Sequence, residues 1–304
     1  MMWLNSIGEL GEQGMKIVVC VKQIHLIYAR TGADPTTHFI SEEDRISIVN
    51  PYDELAVEEA IRIKEKLGDS EVILVTLGDL IAEKALKRCL AMGADRLIQI
   101  NDPSFVRLDP WGSSVALAKA IERLGPDLVF CGKESLDENA GQVGAYMAEL
   151  LGFPFVSCVV RLELLLNKKE VRVKRALGKG DKEVVECPLP ALFSVEKGIN
   201  EPRYPTLPNL LRALDQKIEC WGQEFLGFQI SNIQPMTEVT DVQYPRPRPK
   251  GIAAPDSHLN GFERVLSLLA GSRTEKKGHI LEGPPEAMTS EIVRFLIENG
   301  IIEG

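Results

Sequence analysis

The sequence predicts an α/β protein built on a doubly wound, mostly parallel sheet. Three observations carry that expectation. Residues 15–155 alternate short runs, apolar on both faces, with amphipathic helical stretches, the pattern of βαβ units in a parallel sheet covered on both sides. From Phe155 the texture changes to adjacent strand-like runs, which adds β-hairpins to the sheet. Beyond Glu219 the chain turns loop-rich before two last helices, which reads as an extended arm.

The strands of the parallel part are KIVVCVK, EVILVTLG, RLIQIND and DLVFCGK. Asn50-Pro51 announces the first helix, YDELAVEEAIRIKEKLG, because asparagine suits a cap and proline a first turn. Its acids Asp53, Glu54, Glu58 and Glu59 suit the positive end of the helix dipole. Further helices are expected near Leu80–Met92, Gly112–Leu124 and Asn139–Leu151. Between Lys22 and Asn50 the chain makes a long excursion, with RISIV as a short extra strand. FVSCVVRLELLL, EVRVKRAL and PALFSVEKG follow as strands, the first two separated by a hairpin turn at Asn167-Lys168-Lys169.

In INEPRYPTLPNLLRALDQK, residues 199–217, Pro202, Pro205 and Pro208 exclude a central strand. From Asn209 the residues Leu210, Leu211 and Leu214 recur at helical spacing. A stiff loop leading through Leu207 into an amphipathic helix is either a rigid connector or a surface held ready for another protein. Five prolines between Pro235 and Pro255 make the arm extended, and it ends in helices near Gly261–Leu269 and Pro285–Asn299. That pair buries little alone and is expected to dock on the main body or on a partner. The organisation read from this is a disordered N-terminal extension over 1–14, an α/β domain over 15–220, and an arm with terminal helices over 221–304.

A formal charge of -9 over 304 residues argues against nucleic acid, and no Lys/Arg cluster offsets it. No apolar run reaches the ~20 residues of a membrane helix, so the chain is expected not to be membrane-embedded. MMWLNSIGELGEQG carries acids and no basic residue, unlike a signal peptide. The six cysteines stand far apart, which fits reduced thiols in a cytoplasm. The four histidines form no metal-ligand spacing, and no metal site is expected. No G-x-S-x-G or comparable catalytic constellation is present.

One segment looks built for a ligand. CGKESLDENAGQVGAYM, Cys131 to Met147, reads as a strand end, a glycine-containing turn and a helix start. The amides of Gly141, Gln142 and Val143 can face an anion there, and a Cβ at Gly141 is expected to crowd both ligand and helix start. The spacing matches neither the Walker pattern nor G-x-G-x-x-G. Glu134, Asp137 and Glu138 make the loop acidic, which suits one phosphate or a diphosphate held by amides better than a triphosphate. A bound nucleotide and a merely capped helix both remain open on these residues alone.

Five separated motifs, VCVKQ, VNPYDELAVEEAIRIKEK, CLAMGADR, GKESLDENAGQVG and INEPRYPTLPN, resemble the β (small) subunit of electron-transfer flavoproteins. The likeness spans Met15 to Ile218 and implies a Rossmann-like fold of the adenine-nucleotide-binding type. It implies an αβ heterodimer whose α subunit carries most of the FAD site. Electrons pass from flavoprotein dehydrogenases, such as the acyl-CoA dehydrogenases of fatty acid oxidation, to the FAD and on to a downstream redox acceptor. The β subunit of that family usually buries AMP. The resemblance carries its contacts onto Cys20, Asn50, Pro51, Tyr52, Asp53, Leu77 and the run Gly132, Lys133, Glu134, Ser135, Leu136, Asp137, Glu138, Asn139, Ala140, Gly141, Gln142 and Val143. The family's dehydrogenase-recognition loop falls on 199–217, with Leu207 as anchor between Pro205 and Pro208.

In an electron-bifurcating branch a second FAD takes the AMP place and receives electrons from NADH. The AMP branch usually has Asn-Gln-Thr at positions 141–143, where this chain has Gly141-Gln142-Val143; Q-V-G is closer to the flavin branch, which favours glycine where Glu138 stands. The QIHLIYA segment also departs from the usual pattern at Tyr28, a candidate to approach the α-subunit flavin, and the helices after Leu259 exceed the family's common length. From pattern alone, a nucleotide-sensing α/β domain without redox role is the alternative of another class.

Overall fold

The computed structural model describes residues 14–27, 45–78, 83–102, 108–229, 233–238, 240, 258–269 and 283–298. Tyr28, most of the 1–14 extension and most of the proline-rich arm lie outside the described residues. The chain divides into two compact units, Met1–Tyr244 and Pro245–Gly304.

The first unit runs β1 (Lys16–Cys20), β2 (Gln23–Ile27), β3 (Arg45–Val49), α1 (Pro51–Leu67), β4 (Glu71–Leu77), α2 (Glu83–Met92), β5 (Arg96–Ile100), α3 (Pro110–Leu124), β6 (Leu128–Gly132) and α4 (Val143–Leu151). It continues with β7 (Phe155–Leu165), β8 (Glu170–Gly178), β9 (Asp181–Pro188), β10 (Ala191–Val195), α5 (Leu207–Asp215), β11 (Glu219–Trp221) and α6 (Gln223–Leu226). Nine strands form one sheet in the order β11-β5-β4-β1-β6-β10-β7-β8-β9, and β2 and β3 pair separately. From β11 to β7 every pairing is parallel; β7–β8 and β8–β9 are antiparallel. The mostly parallel α/β sheet expected from the alternating pattern is therefore the fold.

The strand residues alternate between two apolar layers, as a doubly covered sheet requires. Ile17, Val19, Leu74, Phe130 and Phe193 join α1, α2 and Ala213 of α5 on one side. Val18, Ile73, Val75, Val129 and Leu192 join α3, α4 and Leu226 of α6 on the other. Helix limits follow local chemistry. Asp109 caps α3 by accepting from Gly112 N at 2.8 Å, and the left-handed Gly125 ends it at φ 57°.

Four elements escaped the sequence reading. β9 is an edge strand carrying Asp181, Lys182, Glu183 and Glu186, mostly exposed, so its charge conceals its strand pattern. β2 lies inside the excursion between Lys22 and Asn50 and pairs only with β3, and β11, at three residues, is too short to show a period. β11 and α6 also extend the body past the boundary read at residue 220, since Trp221 and Leu226 are buried in the core.

The second unit contains α7 (Gly261–Leu269) and α8 (Pro285–Glu298). Phe262, Val265 and Leu266 of α7 and Ile292 and Val293 of α8 are exposed apolar residues. Among the described residues no helix is long and apolar enough to cross a membrane.

Chain order places the site. β1, β4 and β5 build outward in one direction, and α3 then returns the chain to β6 on the other side of β1. The strand order reverses between β1 and β6, and a crevice opens at their carboxyl ends.

Candidate functional site

The crevice is held by the first turn of α1. Asp53 accepts from Lys22 N at 2.8 Å through Oδ2 and from Gly132 N at 2.9 Å through Oδ1, so one carboxylate joins the ends of β1 and β6. Asn50, the helix cap read from sequence, turns its side chain elsewhere: Nδ2 donates to Glu134 O at 2.9 Å, and Oδ1 accepts from Leu136 N at 3.3 Å. Both residues are buried. Burial pushes the Asp53 carboxyl up to about 7, against the pull of the Lys22 and Gly132 amides, the Asn50 side chain and the Lys22 ammonium.

Gly132 is obligatory here. A Cβ on it would stand 2.3 Å from Asp53 Oδ1 and 2.7 Å from Tyr52 Cβ, so any side chain breaks the clamp.

The loop from Lys133 to Gln142 closes over the crevice. Lys22 Nζ pairs with Asp137 at 3.0 Å and Glu138 at 3.4 Å and reaches Ser135 Oγ at 3.4 Å. Lys133 Nζ pairs with Glu196 at 2.9 Å and Glu134 at 3.5 Å. The loop then enters α4, and no described acceptor takes the amides of Gly141, Gln142 and Val143. Gly141 has φ 61°, which favours glycine. The crowding expected at the helix start is corrected: a Cβ would meet Lys133 O only at 3.6 Å and Glu134 Cβ at 4.0 Å, ordinary contacts. Backbone strain, not lack of protein space, restricts the position.

A cavity of about 290 Å³ lies in this crevice. Of the residues nominated from sequence, Cys20, Asn50, Asp53, Leu77, Gly132, Lys133, Glu134, Ser135, Glu138, Ala140, Gly141 and Val143 line it. Pro51, Tyr52, Leu136, Asp137, Asn139 and Gln142 do not, and act behind it. Pro51 opens α1, Tyr52 lies within 6 Å of the Lys133 and Lys197 ammonium groups, and Leu136 and Asp137 hold the loop through Asn50 and Lys22. Asn139 turns it at φ 52°, and Gln142 O accepts from Tyr146 N in the first turn of α4.

Sequence reasoning missed Val21, Lys22, Gly78, Leu108, Pro110, Ser113 and Leu117 of the lining, and named no contact at Cys131, Gly144 or Met147 although they lie in the segment read as built for a ligand. Lys22 was findable, as the residue leaving the carboxyl end of the first strand. The α3 wall was not, because it depends on the crossover returning to this spot. The thiols Cys20 and Cys131 are buried, and burial pushes Cys20 up to about 12 and raises Cys131 well above the ordinary thiol value, so they are apolar lining and not nucleophiles. The residues fit an adenine nucleotide: open amides for a phosphate, glycine backbone for close approach, and apolar walls for a ring.

The proline-braced loop emerges on the α1 and α2 side. Leu207 is 68% exposed and Tyr204 86% exposed, so Leu207 is not a core residue. Leu211 and Leu214 of α5 are exposed as well, while Ala213 alone of that helix is buried. Arg203 is tied back to Glu58 and Glu65 of α1. Tyr204, Leu211 and Leu214 enlarge the apolar patch beyond the single leucine read from sequence.

The fold and crevice define a doubly wound α/β protein with a ligand-sized cavity at its switch point. A model described as "Electron transfer flavoprotein domain" matches residues 37–222. "Protein FixA" of Azotobacter vinelandii is 34% identical over 253 residues, 80% of this chain and 89% of that protein. "Electron transfer flavoprotein subunit beta" of Thermoanaerobacterium thermosaccharolyticum is 39% identical over 203 residues, 67% of this chain and 76% of that protein. "Caffeyl-CoA reductase-Etf complex subunit CarD" of Acetobacterium woodii is 36% identical over 214 residues, 70% and 80% of the two chains. The chain belongs to the electron transfer flavoprotein family, on its β-subunit side, and is an electron-transfer protein.

Two substitutions test the clamp. Gly132→Ala should empty the crevice of ligand and lower the melting temperature, because the new Cβ displaces Asp53 or Tyr52; unchanged ligand content in the purified variant would contradict the geometry. For Asp53, the folded carboxyl keeps its proton up to about 7, whereas an unfolded aspartate loses it near ~4. Its stability contribution is therefore full below the unfolded value and is lost as pH rises through the folded value. Asp53→Asn should flatten that decline between about pH 4 and 7. It should also lower the melting temperature at pH 5 by leaving one backbone N–H without an acceptor, a cost of roughly 1–3 kcal/mol. Melting curves across that range decide it.

Proposed function

We propose that this chain is the β subunit of a heterodimeric electron-transfer flavoprotein, that it shares an FAD with an α subunit, and that its own crevice holds AMP. Electrons would reach the FAD from flavoprotein dehydrogenases, such as acyl-CoA dehydrogenases, and leave to a downstream redox acceptor, in a cytoplasm where the six free cysteines stay reduced. The observation that carries the nucleotide is the set of open amides at Gly141–Val143, above a cavity clamped by Asn50 and Asp53. FAD supplies the redox chemistry when bound; this chain's part is to bind, orient and present. Gly141 to Val143 would hold phosphate through backbone, Asn50 and Asp53 would hold the facing loops together, and Leu77, Leu117 and Met147 would shield the ring from water. Leu207 would dock the dehydrogenase. An exposed leucine on a proline-stiffened backbone has little freedom to lose on binding.

A second reading places another FAD in the crevice, with NADH as donor, as in electron bifurcation. The cavity favours it in one respect, since it continues past the phosphate loop to Gly78, Leu108 and Pro110. Val143 also lacks a hydroxyl for phosphate, a loss on the order of 1 kcal/mol and no prohibition.

Counting cofactors in the purified heterodimer separates the readings. One flavin and one AMP per heterodimer is the expected result; two flavins together with reduction by NADH would establish bifurcation, and no flavin would return the chain to a nucleotide-sensing role. Leu207→Ala should slow electron transfer from acyl-CoA dehydrogenase by about tenfold or more, since burying a leucine is worth roughly 1.5–3 kcal/mol. Flavin content and melting temperature should stay unchanged, because Leu207 is exposed. A destabilised variant with normal transfer per folded molecule overturns the docking role.

A further inference from the structure

From the geometry we infer that Arg203 is the positioning residue of the docking loop, setting where Leu207 stands by locking the chain four residues earlier onto α1. The inference rests on the docking role proposed for Leu207.

Residues 196–206 have no regular structure, so their path is fixed only by what they touch. Glu196 is held by Val159 O and Lys133, and Ile199 packs against the core; after them two side chains anchor the segment to α1. Asn200 Nδ2 donates to Leu55 O and Glu59 Oε2, each at 3.0 Å. Arg203 is held more fully. Its backbone N donates to Glu58 Oε2 at 3.2 Å, its Nε to the same oxygen at 2.9 Å, and its Nη2 to Glu58 Oε1 at 3.1 Å. Nη2 also reaches Glu65 Oε2 at 2.9 Å, and Nη1 donates to Glu65 Oε1. Glu58 has a side chain only 3% exposed and also receives Arg62 Nε at 2.9 Å. A desolvated carboxylate between two guanidinium groups is a far stiffer fixture than a surface pair.

Between Arg203 and Leu207 no described side chain makes an ion pair, and the next fixed points lie beyond Leu207, where α5 packs on α2 through Ala213 and Lys87 Nζ donates to Leu214 O at 2.7 Å. Tyr204, Thr206, Leu207 and Pro208 are exposed, and the next buried residue is Ala213. Pro205 and Pro208 fix φ on either side of Leu207, and Thr206 caps α5 by accepting from Asn209 N at 3.4 Å. With the intervening backbone stiff, an orientation set at Arg203 reaches Leu207 instead of dissipating in free torsions. Glu201, by contrast, is exposed and makes no hydrogen bond or ion pair among the described residues. Lysine cannot replace the fork, since a single ammonium cannot hold both oxygens of Glu58 and also span to Glu65.

The test is a double-mutant cycle in the heterodimer, reading electron transfer from acyl-CoA dehydrogenase reduced by its acyl-CoA substrate. Arg203→Lys should raise KM for the dehydrogenase about tenfold with kcat nearly unchanged, the pattern of misplaced binding. In a Leu207→Ala background the same change should have less than about a twofold effect, because there is no longer a side chain to place. Glu65→Gln, on the exposed partner, should act in the same direction more weakly; it carries the test alone if Arg203→Lys fails to fold. Full additivity of either variant with Leu207→Ala overturns the positioning role while leaving docking intact. A Leu207→Ala variant with normal transfer overturns docking itself, and the positioning role with it.

Discussion

Asp53 takes hydrogen bonds from the amides of Lys22 and Gly132, and through them joins β1 to β6 where the strand order reverses. Two neighbouring parallel strands whose chains depart to opposite faces leave end amides with no ladder partner. Solvating both would open the crevice to water. One buried carboxylate satisfies both, and it sits in the first turn of α1, where the helix dipole favours negative charge. The clamp also fixes what can occupy position 132, since the space a side chain would need is filled by Asp53 and Tyr52. The width of the cavity and the path of the following loop both descend from this single arrangement.

The same helix serves the opposite task one turn later. Asn50 and Asp53 hold the crevice, while Leu55, Glu58, Glu59 and Glu65 hold the loop that carries Leu207. Such a helix is packed along its length, with Ala56, Val57, Ala60 and Ile61 buried against the sheet. Packed cores resist continuous deformation, so crevice and proline-braced loop share one rigid reference.

Much of this was legible in the residues. Apolar runs of strand length gave β1, β4, β5 and β6, Asn50-Pro51 gave the start of α1, and the acidic glycine turn gave the loop that lines the crevice. What failed did so for identifiable reasons. β9 looks polar because an edge strand needs charge, not burial. Lys22 and the α3 wall belong to the site only through the crossover, a property of topology and not of local pattern. Gly141 was read as a space requirement because glycine stands there, whereas the tight spot is Gly132. A glycine's reason, conformation or clearance, is invisible until the neighbours are placed.

Charge around the crevice explains why backbone must do the binding. Both lysines of the lining are already engaged, Lys22 by Asp137 and Glu138 and Lys133 by Glu134 and Glu196. Four carboxylates against two ammonium groups leave the rim negative, before Asp53 is considered. A polyanion entering there would meet repulsion that no free cation among those lining residues offsets. Amide N–H groups at the start of α4 carry only partial positive charge, enough for one phosphate or for a diphosphate whose charge is spread. The remaining affinity has to come from burying a ring among Leu77, Leu117, Val143 and Met147, where roughly 25 cal/mol per Å² of apolar surface accumulates quickly. Such a rim disfavours a triphosphate, and an anion of low charge meets it at the least electrostatic cost.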